Sequence, residues 1–224
     1  MVRIGVIGAG HWGPNHIRIF SQLPNSKVEM CADLSEDRLK MVNRLFSSVH
    51  TTRDYREILK SEDIDAVCIA APTALHFKLT KEALEHRKHV LCEKPLALDP
   101  KECLELKKIA RKYQRHLMVG HIFVFNEGIR LLKQYIQSGQ LGKIYYAHSE
   151  WTNLGPFRYD VNALWDLAPH DVSIFNYLFD APPLTASARG QKYLNKSRED
   201  VAFATLEYQK NILVNIHVSW LDPK

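Results

Sequence analysis

The sequence predicts an α/β chain in two parts: a helix-covered parallel sheet over residues 1–121, then an α+β unit with a mostly antiparallel sheet over residues 122–224. Three observations predict it. Up to residue 120, short β-branched runs alternate with amphipathic helical patterns, the grammar of a parallel sheet with crossover helices. Beyond residue 121 the strands lengthen and alternate apolar with polar side chains, as a sheet with one buried face requires. At 224 residues and 46% hydrophobic content, there is enough apolar material to bury such a core.

In the first part, strands are expected at Arg3 to Ile7, Val28 to Ala32, Val49 to Thr51, Ala66 to Ala70, His89 to Cys92 and Leu117 to Gly120. The best marked helix is "DPKECLELKKIARKY", where Asp99 is placed to cap, Pro100 suits the first helical position and Glu102 completes a capping box. In the second part a helix runs from Glu127 to Ser138, and Gly139 stops it as a left-handed cap. The strands "KIYYAHSEW", "VAFATLEY" and "ILVNIHVSW" follow, the last two joined by a short turn from Gln209 to Asn211. Val214, Ile216, Val218 and Trp220 share one face of the final strand, and Asn215, His217 and Ser219 share the other.

Bulk composition narrows the function. Met1 runs directly into "VRIGVIG" with no charged segment ahead of an apolar one, and no apolar run approaches membrane-spanning length, so a cytoplasmic protein without a membrane partner is expected. Cys31, Cys68, Cys92 and Cys103 form no CxxC pair and read as reduced core thiols, with no metal site. The net charge of +5 is mild, and "KKIARKYQRH" spaces Ile109, Ala110 and Tyr113 as a solvated helix does, which argues against nucleic-acid binding. The surplus is enough to steer a small anionic substrate.

The stretch "GVIGAGHWGPNH" holds Gly8, Gly10 and Gly13 in GxGxxG spacing. The first glycine allows a tight turn, the second lets backbone approach a pyrophosphate, and the third lets helix pack closely on strand. The motif follows a strand, opens a helix with Pro14 in its first turn, and is followed by Asp33 at the end of the second strand. This context predicts a bound dinucleotide in a Rossmann domain, with His11 and Trp12 of the same turn beside it. Asp33 is positioned to accept hydrogen bonds from the adenosine ribose and to repel the extra phosphate of NADP, so NAD is favoured, although the nearby Arg38 softens that preference. The alternative is that Asp33 merely begins the next helix, with Ser35 as its cap.

"AAPTALH" (70–76), "CEKPLAL" (92–98) and "WDLAPHD" (165–171) lie at the ends of successive elements. Together with the glycine turn they resemble the glucose-fructose oxidoreductase and inositol dehydrogenase family, Gfo/Idh/MocA, over essentially the whole chain. The Glu93-Lys94-Pro95 triplet is the most specific mark. The resemblance implies a Rossmann domain, an α+β substrate domain whose open sheet face makes a homo-oligomer contact, and NAD(P)-linked oxidation or reduction of a sugar or related polyol. It assigns Lys94 as the catalytic lysine and Asp166 and His170 as an Asp-x-x-x-His pair. It places Ala71, Pro72 and Thr73 along the nicotinamide ribose, with His76 and Glu93 also on the cofactor-binding side. The bland alternatives are a surface lysine before a turn-forming Pro95, and a histidine satisfied at a domain boundary.

Such chemistry removes a hydroxyl proton as negative charge builds on oxygen. His170 suits the general base, Lys94 as an ammonium suits the developing alkoxide, and Asp166 would orient the imidazole or bind a neighbouring hydroxyl. Pro169 predicts a helix that begins nearby and carries Val172, Phe175, Leu178 and Phe179, with its positive end favouring a neutral His170. On that reading the spacing of Asp166 and His170 does not by itself put them on one face.

Asn153, Arg158, Tyr159 and Asn162 in "EWTNLGPFRYDVNALW", and Asn126 in "GHIFVFNEG", are substrate-binding candidates, against the alternative of a solvated connecting loop. Within the family, "NLGPFRYDVNALWDLAPHD" looks most like dehydrogenases of surface-polysaccharide pathways, which implies a nucleotide-linked amino sugar or its uronate, oxidised at the third carbon. Two rivals are an NAD-dependent glycosidase and a nucleotide-binding protein without turnover. Family members ordinarily continue past "HVSWLDPK" with further strands and a terminal helix, so a fragment and a shortened member are both open readings.

Overall fold

A computed structural model describes residues 1–224 apart from Pro156, Tyr159, Asn195 and Lys224. The chain forms two compact units, Met1–Gly120 and His121–Lys224.

In the first unit, β1 (Val2–Ile7), β2 (Ser26–Ala32), β3 (His50–Thr52), β4 (Ala66–Ile69), β5 (His89–Cys92) and β6 (Leu117–Val119) form one sheet in the order β3-β2-β1-β4-β5-β6. Every pairing is parallel. The strand order reverses between β1 and β4, and the crevice at such a switch point is where open α/β sheets take ligands. The helices are α1 (Gly13–Gln22), α2 (Glu36–Leu45), α3 (Tyr55–Lys60), α4 (His76–Glu85) and α5 (Pro100–Lys112). One apolar cluster joins Ile58, Ile64, Val67, Ile69, Leu84 and Leu106, and a second joins Val6, Ile17, Val28 and Val42. Burial on both faces explains why these strands read as apolar runs without alternation. Local chemistry sets the helix starts: the Asp99 side chain accepts from the Lys101 amide at 2.8 Å, with Pro100 first in α5, and the Ser35 side chain caps α2.

The second unit contains α6 (Glu127–Gln137), β7 (Tyr146–Thr152), α7 (Ala163–Phe179), β8 (Thr185–Gln191), β9 (Val201–Tyr208) and β10 (Ile212–Ser219). Its sheet runs β7-β10-β9-β8, antiparallel at β9 with both neighbours and parallel between β7 and β10, so it is mixed. Val214, Ile216, Val218 and Trp220 are buried together on its inner face, packed with Ala163, Ala168, Phe175 and Leu178 of α7. The β9–β10 turn places Lys210 and Asn211 at φ 62° and 59°, the conformation that matches the twist of paired strands. Gly139 follows α6 at φ 75°, as expected of a left-handed cap.

Two features depart from expectation. The edge strand β8 has no counterpart in the sequence reading, because "TASARGQ" is exposed throughout and carries no alternation. The helix expected to begin near Pro169 begins at Ala163, where the Asn162 side chain accepts from the Trp165 amide at 2.9 Å, and Pro169 lies inside it. An interior proline forfeits one helical hydrogen bond and costs about 3 kcal/mol. The apolar face that α7 buries on both sides of Pro169 offsets that cost, so tertiary packing overrides the local signal.

Candidate functional site

In the first unit the glycine turn connects β1 to α1. Gly8 has φ +100°, and a Cβ there would lie 2.6 Å from the Ala70 carbonyl oxygen. A Cβ on Gly13 would lie 2.1 Å from the Gly8 oxygen. Both positions therefore exclude any side chain. Gly10 differs: a Cβ there would meet only Arg38 Nη1, at 3.9 Å, which leaves the backbone open to an approaching phosphate. The turn fits a dinucleotide on this ground. His11 and Trp12 are exposed beside it, their rings edge to face at 5.1 Å.

Asp33 closes this end of the sheet. Its Oδ2 accepts from the Ala9 amide at 2.7 Å and lies 3.5 Å from Arg38 Nη1, and its Oδ1 accepts from the Ser35 amide at 2.8 Å. The carboxylate thus ties the glycine turn to the end of β2 and keeps remaining lone pairs for a ribose hydroxyl. Ser35 caps the following helix, so Asp33 is not spent as that cap.

Glu93 and Lys94 follow β5. Glu93 Oε1 meets His16 Nε2 of α1 at 2.7 Å, and its Oε2 accepts from the Lys94 amide at 3.3 Å. A Cβ on Gly120 would come within 3.2 Å of Oε2, so that glycine leaves room for the carboxylate. Ala71 and Thr73 are half-buried and buried, Pro72 is exposed, and Lys94 is half-buried. His76 turns both ring nitrogens onto backbone carbonyls, Nδ1 to Pro95 and Nε2 to Ala71, and so supports the loop from beneath.

In the second unit Asp166 and His170 both lie on α7, 9% and 8% exposed, and their spacing of one helical turn puts them on one face. His170 sits eight residues into the helix and not at its start, so a positive helix end does not act on it. Its ring is walled instead by aromatics: Phe123 stands edge to face at 4.8 Å and Trp151 lies tilted at 5.5 Å. Sequence reasoning missed both. The signals were present as the aromatic run in "GHIFVFNEG" and the terminal Trp of "KIYYAHSEW".

Of the substrate-binding candidates, Arg158 donates from Nη1 to Asp166 Oδ1 at 2.8 Å and from Nε to Asp160 Oδ1 at 2.9 Å. Asn126 caps α6, its Oδ1 accepting from Gly128 and Ile129, and the Asn153 amide donates to the Gly155 carbonyl. Asn162 caps α7 and donates to Glu199 Oε2 at 2.9 Å, a structural role in place of the expected grip on hydroxyls. Tyr159 lies outside the described residues. Among the described residues no group of three or more His, Cys, Asp or Glu is arranged to hold a metal ion, and no helix is long and apolar enough to cross a membrane.

Residues 2–121 match an oxidoreductase family with an NAD-binding Rossmann fold, Gfo/Idh/MocA, and residues 129–224 match the C-terminal domain of the same family. The chain belongs to the Gfo/Idh/MocA oxidoreductases. An uncharacterized oxidoreductase, YrbE, of Bacillus subtilis is 30% identical over 95% of this chain and 65% of its own length. Inositol 2-dehydrogenase 2 of Paenarthrobacter aurescens is 30% identical over 97% of this chain and 68% of its own. The solved scyllo-inositol dehydrogenase of Lactobacillus casei, with bound NAD(H) and scyllo-inositol, superposes with a TM-score of 0.89 at 18% identity, covering 100% of this chain and 71% of its own. At that identity the likeness is one of fold. This Gfo/Idh/MocA chain thus spans about two thirds of the length of such relatives.

Proposed function

We propose that the protein transfers hydride between a nicotinamide cofactor, NAD in preference to NADP, and a secondary alcohol of a sugar or polyol. The observation that carries this reading is the Asp166 and His170 pair on one buried face of α7, in a chain whose other unit presents an open glycine turn tied to Asp33 at the end of β2. A bound nicotinamide supplies the hydride acceptor. In the oxidative direction His170 would take the hydroxyl proton, and the carbinol hydride would pass to the nicotinamide as the carbonyl formed. The family resemblance gives Lys94 the part of a donor that would stabilise charge developing on the alcohol oxygen. Asp166, paired with Arg158, holds its place beside the base. Trp151 and Phe123 restrict the imidazole to one orientation.

A finer part of the proposal is that the substrate is a nucleotide-linked amino sugar or its uronate, which rests on the stretch from Asn153 to Asp171. A second copy docked on the outer sheet face, where Phe203 and Leu213 are exposed, belongs to the same reading. So does a reducing, cytoplasmic setting, supported by four free cysteines.

The test is a screen of NAD reduction across polyols, free sugars and nucleotide sugars, with His170→Ala and Lys94→Ala alongside. Loss of the base should lower turnover by about 100- to 10,000-fold while NAD still binds. Near-normal turnover by His170→Ala removes His170 from the mechanism. Sugar release without net NADH would identify a glycosidase, and NAD binding without turnover on any alcohol would identify a non-catalytic nucleotide-binding protein.

A further inference from the structure

His76 opens α4 and is 1% exposed, yet both of its ring nitrogens have partners. Nδ1 lies 2.7 Å from the Pro95 carbonyl oxygen, and Nε2 lies 2.8 Å from the Ala71 carbonyl oxygen. A backbone carbonyl can only accept a hydrogen bond. A neutral imidazole carries one N–H, so either tautomer would set a ring lone pair against a carbonyl lone pair at hydrogen-bond distance. Only the doubly protonated ring satisfies both contacts.

Hydrogen-bonding every proton lowers the cost of a buried charge, and bonds from a charged donor are shorter and stronger than neutral ones. Both distances fall in that shorter range. The two acceptors belong to different segments. Ala71 lies in the loop between β4 and α4, and Pro95 directly follows Lys94.

We propose that His76 is held with a proton on each ring nitrogen and acts as a two-headed donor that staples the loop after β4 to the Lys94–Pro95 turn. It is a positioning residue: it touches neither reacting atom, and it fixes the backbone that presents Ala71, Thr73 and Lys94. Its protonation does not depend on the proposed reaction. Its effect on cofactor affinity does rest on that reading.

The test uses the whole chain labelled with 15N-histidine, without cofactor, and long-range proton–nitrogen correlation near neutral pH. Through-bond backbone experiments assign His76, so no variant is needed for that step. Both His76 nitrogens should resonate in the protonated range. One nitrogen in the unprotonated range overturns the proposal whatever the enzyme does. His76→Gln keeps a single amide and cannot bridge both carbonyls; it should weaken NAD binding by about tenfold relative to wild type at equal folded fraction. If both nitrogens are protonated but His76→Gln binds NAD as wild type does, the stapling role fails while the oxidoreductase reading stands.

Discussion

Arg158 and Asp166 form a hydrogen-bonded ion pair at 2.8 Å, with the aspartate side chain 12% exposed and the guanidinium shared with Asp160. An arginine that the sequence offered to the substrate is thus the partner of a candidate catalytic carboxylate. Arg158→Ala should destabilise the fold by about 1–3 kcal/mol, because it takes a charged donor away from a largely buried carboxylate. Urea unfolding measures this. The cost should shrink in an Asp166→Asn background; equal costs in both backgrounds would show that the pair has no energetic coupling.

Asp171 lies on α7 and is only 1% exposed. Burial pushes its carboxyl up to about 6, while Ser149 and Trp151 pull the other way. A carboxyl raised on folding binds its proton more tightly in the native state, so stability falls as pH rises from the ordinary carboxylate range through about 6, by an amount on the order of 3 kcal/mol. Asp171→Asn should therefore raise the melting temperature at about pH 8 and change it little at about pH 5. A variant that is less stable than wild type at the higher pH contradicts the buried, proton-binding carboxyl.

Asp33 faces both the Ala9 amide and Arg38. Replacing it with serine removes the charge that repels a ribose phosphate and releases the guanidinium. Asp33→Ser should shift relative affinity towards NADP by about tenfold or more, read from dissociation constants of both cofactors. Tighter NADP binding by the wild type would remove Asp33 from the role assigned to it.

Burial pushes the Cys31 and Cys92 thiols up to about 12 and Cys68 well above its ordinary value, whereas Cys103 is half-buried. Only thiolate reacts, so a thiol reagent near neutral pH should label Cys103 slowly and the other three only in denaturant. Mass spectrometry of the labelled peptides checks this; rapid labelling of Cys31 in the native protein would show that β2 opens readily.

The parallel unit was legible because each of its signals is local. Alternating runs, the glycine spacing and the Asp99-Pro100 start each act within a few residues, and the structure keeps them within a residue or two. The inner face of β10 was equally legible, since alternation along one strand needs no partner to be read. β8 and the parallel pairing of β7 with β10 were not, because an exposed strand carries no pattern and pairing direction depends on a neighbour far along the chain.

By itself the sequence determined the glycine turn, the carboxylate at the end of β2, and the residue types available for proton transfer, all of which follow from short-range backbone and side-chain chemistry. Tertiary structure alone decided where α7 begins, which neighbours wall His170, that Arg158 pairs with Asp166, and that His76 faces two carbonyls. The reason is energetic. A helix start marked by proline is worth a few kcal/mol, while the apolar face of a seventeen-residue helix packed on a sheet outweighs it, and that burial depends on residues distant in sequence.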